Sequence, residues 1–196
     1  MDNKLLGKNI VWLGSSVTYG HANGGVSMVE YLAEQTGAIC AKYALSGTTL
    51  ADIDDNSYVA RLDRIRGDQK CDLFICQLST NDASKGIPLG SFSDVDDEKT
   101  VVGAICRVIR TVRERFDCPI AFYTNPPYDS RAYEKMVDIM RSIATEKGVL
   151  LLDLWNNPPF ALSEANIYMA DPIHPNEQGY RLLTPIFEKF VAENFC

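Results

Sequence analysis

Histidine is scarce in this chain, paired cysteine motifs and a surplus of positive charge are missing, and no apolar run is long. Each shortage removes a class of protein. Only His21 and His174 occur in the 196 residues. Of the six cysteines (Cys40, Cys71, Cys76, Cys106, Cys118 and Cys196), none stands in a Cys-x-x-Cys pair. That leaves no ligand spacing of the kind a zinc site uses. Most of these cysteines lie inside apolar runs, where a thiol behaves as a small hydrophobe, so reduced structural thiols and no metal are expected. Basic residues number 19 against 26 acidic, a net charge of −7, which argues against a nucleic-acid partner or an anionic membrane surface. No window approaches the roughly 18 apolar residues that span a bilayer. The opening Met1 to Lys8 lacks a signal peptide's apolar run and small-residue cleavage site, so a cytoplasmic location is expected.

What is present suits one α/β domain over residues 1–196. With 46% hydrophobic and 23% charged residues, the composition is that of an ordinary globular chain, and disordered, collagen-like and coiled-coil readings fall away. There is no internal repeat, low-complexity tract or linker. Five short apolar runs read as strands: Asn9 to Gly14, Ile39 to Tyr43, Asp72 to Leu78, Pro119 to Thr124 and Val149 to Leu154. Their nearly continuous Val, Ile, Leu and Phe content fits strands covered on both faces. Between them lie helical patterns, at Ile105, Val108, Ile109, Val112 and Phe116, and again at Tyr133, Met136, Val137, Met140 and Ile143. Leu183, Ile186, Phe187 and Phe190 mark a C-terminal helix that Pro185 should kink or restart. The acidic stretch Asp94, Asp96, Asp97, Glu98 reads as a solvated loop whose carboxylates favour the dipole of the helix that follows. Alternating strands and helices imply a three-layer domain with a parallel sheet, and ligands of such sheets bind beyond the carboxyl ends of the strands.

Four polar blocks stand at or near those ends. Gly14-Ser15-Ser16 follows the first strand and Ser46-Gly47-Thr48 the second. Ser79-Thr80-Asn81-Asp82 closes the third, and Asp171-Pro172-Ile173-His174-Pro175 lies near the C-terminus. These residue types suit acyl transfer. A serine beside a neutral imidazole can lose its proton as it attacks, and a carboxylate fixes the imidazole's tautomer and steadies its charged form. A developing oxyanion needs preorganised donors, which the backbone N–H groups of Ser16 and Gly47 and the side-chain amide of Asn81 can supply.

In order and spacing the four blocks resemble those of the SGNH hydrolases, also called GDSL esterases and lipases, over nearly the whole chain. The resemblance implies a flavodoxin-like α/β/α fold with a five-stranded parallel sheet. It aligns Ser16 with the nucleophile, Gly47 and Asn81 with the oxyanion donors, and Asp171 and His174 with the acid and base. It implies a small-molecule ester substrate, an acetylated carbohydrate or short acyl ester, and no cofactor. Two departures stand out: Ser15 replaces the aspartate of Gly-Asp-Ser, and Ser79 replaces the glycine of Gly-x-Asn-Asp. The first leaves Ser15 as a rival nucleophile, although the alignment favours Ser16.

Other residues near the strand ends have two possible roles. Tyr19, Tyr123 and Tyr128 can touch substrate or merely pack, and His21 can line the pocket mouth or stand in a solvent-facing loop. Asn125-Pro126-Pro127-Tyr128 reads as a stiff cleft wall, Asn156 to Phe160 as a place for substrate selectivity, Trp12 as core, and Trp155 as either. The competing functions are acyl transfer on the same fold, a phosphate- or nucleotide-binding module, and a non-catalytic carbohydrate-binding domain. The binding modules are disfavoured because neither phosphate-cradling glycine motif is present and Asp171 and His174 would be left without work.

Overall fold

The computed structural model describes residues 4–195. Its centre is a five-stranded parallel sheet of β1 (Asn9–Gly14), β2 (Ile39–Ala44), β3 (Leu73–Gln77), β4 (Ile120–Tyr123) and β5 (Leu150–Leu152), ordered β2-β1-β3-β4-β5. Each strand falls on one of the five apolar runs, and three of them, β3, β4 and β5, are shorter than the run itself. Pairing stops where the chain turns toward the loops, as at Leu78, whose N–H donates to Tyr123 just beyond the ladder.

Alternation along the strands divides the interior into two cores. Val11, Leu13, Phe74, Cys76, Ile120 and Phe122 face one side of the sheet, where α3 (Tyr58–Asp63), α5 (Val101–Phe116) and α6 (Arg131–Lys147) pack. Ile10, Trp12, Leu73, Ile75, Ala121 and Tyr123 face the other, under α2 (Met28–Thr36) and α8 (Glu177–Phe195). The short helices α1 (Ser16–Tyr19), α4 (Thr80–Ser84) and α7 (Ala165–Tyr168) sit in the loops. The expected three-layer α/β arrangement is therefore present. Capping side chains set several helix starts. Ser27 and Glu30 form a reciprocal capping box on α2, and the Thr100 and Ser130 hydroxyls accept N–H groups of Gly103 and Tyr133.

One expectation is narrowed and another needs correction. The C-terminal helix runs from Glu177 with Pro185 inside it, so of the two expected outcomes, a kink or a restart, the restart does not occur. Pro185 is exposed, so the carbonyl of Arg181 that its ring deprives of a donor faces water. The acidic stretch ends before α5 and contributes nothing to its first turn. Asp96 and Glu98 instead pair with Arg110 and Arg107 further along that helix, at 2.8 and 3.0 Å. Among the cysteines, Cys71 and Cys118 are free thiols 3.4 Å apart, a proximity that the sequence does not reveal. Cys196 lies outside the described residues. Among those residues, no helix is long and apolar enough to cross a membrane.

Candidate active site

The carboxyl ends of β1, β2 and β3 carry the first three polar blocks, and the loop before α8 brings the fourth to them. Ser16 is the first residue of α1, so its N–H has no intrahelical acceptor. Its hydroxyl lies 2.8 Å from His174 Nε2, and His174 Nδ1 lies 2.7 Å from Asp171 Oδ2. Asp171 Oδ1 accepts the N–H groups of Ile173 and His174, both at 2.8 Å. Burial pushes the Asp171 carboxyl up, but these hydrogen bonds and the nearby imidazole outweigh it and hold the group below the ordinary carboxylate range. Ser15 is fully buried, with its hydroxyl 3.4 Å from Gln77 Oε1. Geometry thus separates the two serines, since the hydroxyl hydrogen-bonded to the imidazole is that of Ser16.

Long-range contacts hold this constellation in place. Gln77, at the end of β3, accepts through one oxygen the N–H groups of Ser15 and Thr18 at 3.0 and 3.3 Å, and the Thr18 hydroxyl at 2.8 Å. It grips the turn on both flanks of Ser16. The histidine loop is closed by an antiparallel bridge between Met169 and Pro175 and by Ala170 N–H donating to the His174 carbonyl at 2.8 Å. Asn125, after β4, donates to the Ile173 carbonyl at 2.9 Å, and Tyr180 of α8 donates to that of Val17 at 2.9 Å. These last two bonds tie the loop to the sheet and α8 to the serine helix.

The second and third blocks meet beside them. Gly47 is exposed and has a φ of +79°, in the left-handed region open to glycine. The Asn81 amide donates to the Thr48 carbonyl at 3.0 Å, which spends one of its two N–H groups. Lys85 donates to the Gly47 carbonyl at 2.8 Å. Ser79, where the family pattern has glycine, caps α4 by accepting the Asn81 N–H at 3.2 Å. The adjacent Asp82 is fully buried, and its two oxygens accept Leu50 N–H and Ala51 N–H at 2.7 and 2.9 Å. Burial raises its carboxyl, against the lowering effect of those donors. Gln77 stands in the sequence as a polar residue within an apolar run, but nothing local marks what it holds.

The remaining candidates divide cleanly. Tyr123 is buried, packs edge-on to Phe187, and shares a 2.6 Å hydrogen bond with the Thr18 hydroxyl. It belongs to the core and does not line the cleft. Trp12 is core, as expected, and Trp155 packs with Tyr128 and Tyr133. Tyr19 is exposed, with Lys42 over its ring. His21 is solvent-exposed, yet its ring lies 5.3 Å from that of His174. A cavity of about 530 Å³ opens beyond the ends of β4 and β5. Pro127, Tyr128, Phe160 and Met169 wall it, and Asp129, Asn166 and Asp171 supply polar groups. Phe160 is thus the residue of the 156–160 segment that reaches it. Among the described residues, no group of three or more His, Cys, Asp or Glu is arranged to hold a metal.

Comparison with known proteins bears on the fold and the family. A structure from Lactobacillus plantarum superposes with a TM-score of 0.84 at 22% identity, covering 97% of this chain and 99% of that one. A protein from Bacteroides ovatus, described as a GDSL-like lipase, gives 0.71 at 17% identity over 96% and 99% of the two chains. One from Bacteroides fragilis, described as an acylhydrolase, gives 0.71 at 14% identity over 98% and 93%. At such identities these likenesses speak for the fold alone. No curated protein matches the sequence. The model of the GDSL-like lipase/acylhydrolase family matches residues 12–182, most of the chain and all four polar blocks, and the chain belongs to that family.

Proposed function

We propose that this chain is a serine esterase that cleaves a small ester through an acyl-enzyme. The observation that carries the reading is the unbroken hydrogen-bonded series Ser16–His174–Asp171. Ser16 Oγ attacks the ester carbonyl while His174 Nε2 takes its proton. Asp171 holds Nδ1–H and stabilises the imidazolium that forms, without itself taking up the proton. The negative charge on the former carbonyl oxygen is met by the N–H groups of Ser16 and Gly47 and by the Asn81 N–H that Thr48 leaves free. His174 returns the proton to the departing alcohol, and water then repeats the sequence on the acyl-Ser16. No cofactor enters this chemistry. The cavity beside Asp171 is the space into which the bulk of the substrate extends. The helices on both faces share one sheet, which supports the reading of the chain as a single domain.

The test is chemical. A fluorophosphonate probe should label Ser16, and Ser16→Ala should cut kcat on p-nitrophenyl acetate by about 10⁴-fold or more, by analogy with serine-protease triads. Labelling at Ser15, or full activity in Ser16→Ala, would overturn the assignment.

A further inference from the structure

Arg61 of α3 is a partly buried cation that reaches across the floor of the site. Its four hydrogen bonds all go to neutral oxygens. Nε donates to the Asn56 carbonyl at 2.9 Å and Nη1 to the Tyr43 carbonyl at 2.6 Å. Nη2 donates to the Gly14 carbonyl at 2.8 Å and to the Thr48 hydroxyl at 3.0 Å. The guanidinium also lies 5.0 Å over the ring of Tyr58, and no ion pair among the described residues includes it.

The identities of those acceptors matter more than their number. Gly14 is two residues before Ser16, and Thr48 is next to Gly47. Tyr43 lies near the end of the strand that delivers the Gly47 loop. The Gly14 carbonyl also accepts Leu45 N–H at 3.3 Å, and the Thr48 hydroxyl donates to the Leu45 carbonyl at 2.7 Å. The planar fork therefore closes a ring that joins the nucleophile turn to the loop holding Gly47. A lysine cannot reproduce this, since its ammonium is a single point on a flexible stem.

We infer that Arg61 is a positioning residue that fixes the Gly47 loop against the nucleophile strand, and so sets the distance between the attacking Ser16 and the oxyanion donors. This rests on the oxyanion role proposed above for Gly47. Oxyanion donors act on the transition state, so loosening their placement should reduce kcat and leave ground-state binding intact.

The experiment compares Arg61→Lys and Arg61→Gln with wild type on p-nitrophenyl esters, in fluorophosphonate labelling rate, and in hydrogen exchange over residues 45–50. The expected result is a fall in kcat and in labelling rate of about 10²-fold, the scale of one lost oxyanion donor. KM should stay within about twofold, and exchange at 45–50 should quicken. Restoration of the wild-type rate by lysine would overturn the inference, because charge alone would then suffice. A change confined to KM would overturn it too. Should both variants fail to fold, Thr48→Val, which removes one acceptor and keeps the side-chain shape, should still lower kcat severalfold at constant KM; an unchanged kcat counts against the inference. If the probe does not label wild-type Ser16, the esterase reading fails by itself. Exchange at 45–50 then decides Arg61, and unaltered protection in Arg61→Gln would refute its role.

Discussion

The His174 ring makes two hydrogen bonds of opposite purpose, and the state of Asp171 bears on how the pair responds to pH. The bonds from His174 and from two backbone N–H groups keep the Asp171 carboxyl below the ordinary carboxylate range despite its partial desolvation. It therefore stays ionised below the range in which an ordinary carboxylate takes up its proton. A base works only when unprotonated, so log(kcat/KM) should climb with slope one as pH rises and then level off. A slope of two in a pH–rate series would mean that Asp171 also titrates in that range. Asp171→Asn should keep the fold and drop the plateau by about 10⁴-fold, as loss of the triad carboxylate does elsewhere. The same shift bears on stability. A depressed folded value means that Asp171 contributes stability above the ordinary carboxylate range and loses it as pH falls through the folded value.

At the scale of elements, the turn that carries Ser16 is built with no spare volume at Gly14. A Cβ on Gly14 would lie 1.8 Å from the Thr18 hydroxyl oxygen, and that hydroxyl is already fixed by Gln77 and Tyr123. Gly14→Ala should therefore destabilise the protein by about 1–3 kcal/mol, as overpacking does in other cores. It should also slow turnover by displacing Ser16. Urea unfolding with an unchanged midpoint would show that the turn relaxes without cost. All five strands were legible as short, nearly continuous apolar runs, although only β1, β3 and β4 are covered on both faces, β2 and β5 at the sheet edges being half-buried or exposed. Their ends were less so, since hydrogen-bond pairing, not hydropathy, decides where a strand stops. Pro185 did not end α8, since it stands on the side of the helix that meets water. The residues of the proposed triad stood in the first and last of the four polar blocks, whereas the contacts that support them left no such trace. Gln77 grips Ser15 from 62 residues away and Asn125 holds Ile173 from 48, and no local pattern encodes such pairs.

For the molecule as a whole, charge should select substrates before chemistry begins. The chain carries a net charge of −7. The cavity beside the triad repeats that sign locally, with Asp129 and Asp171 among its lining residues and neither lysine nor arginine. Its walls are apolar at Pro127, Tyr128, Phe160 and Met169, and Tyr128 is braced by Tyr133 and Trp155 at ring distances of 5.3 and 5.5 Å. A neutral group gains from burial against such walls, whereas a carboxylate or phosphate entering them loses hydration and meets no cation. Neutral p-nitrophenyl butyrate should therefore exceed mono-p-nitrophenyl succinate in kcat/KM by tenfold or more, an order-of-magnitude expectation for one uncompensated charge near a partly buried site. Added salt should narrow the gap, because part of the repulsion acts through solvent and is screened over about 10 Å at 0.1 M. Asp129→Asn should narrow it further without altering the rate on the neutral ester. An anionic ester cleaved as fast as the neutral one at low salt would mean that the substrate does not use this cavity, and would move the search to the exposed side of the site around His21 and Ser46.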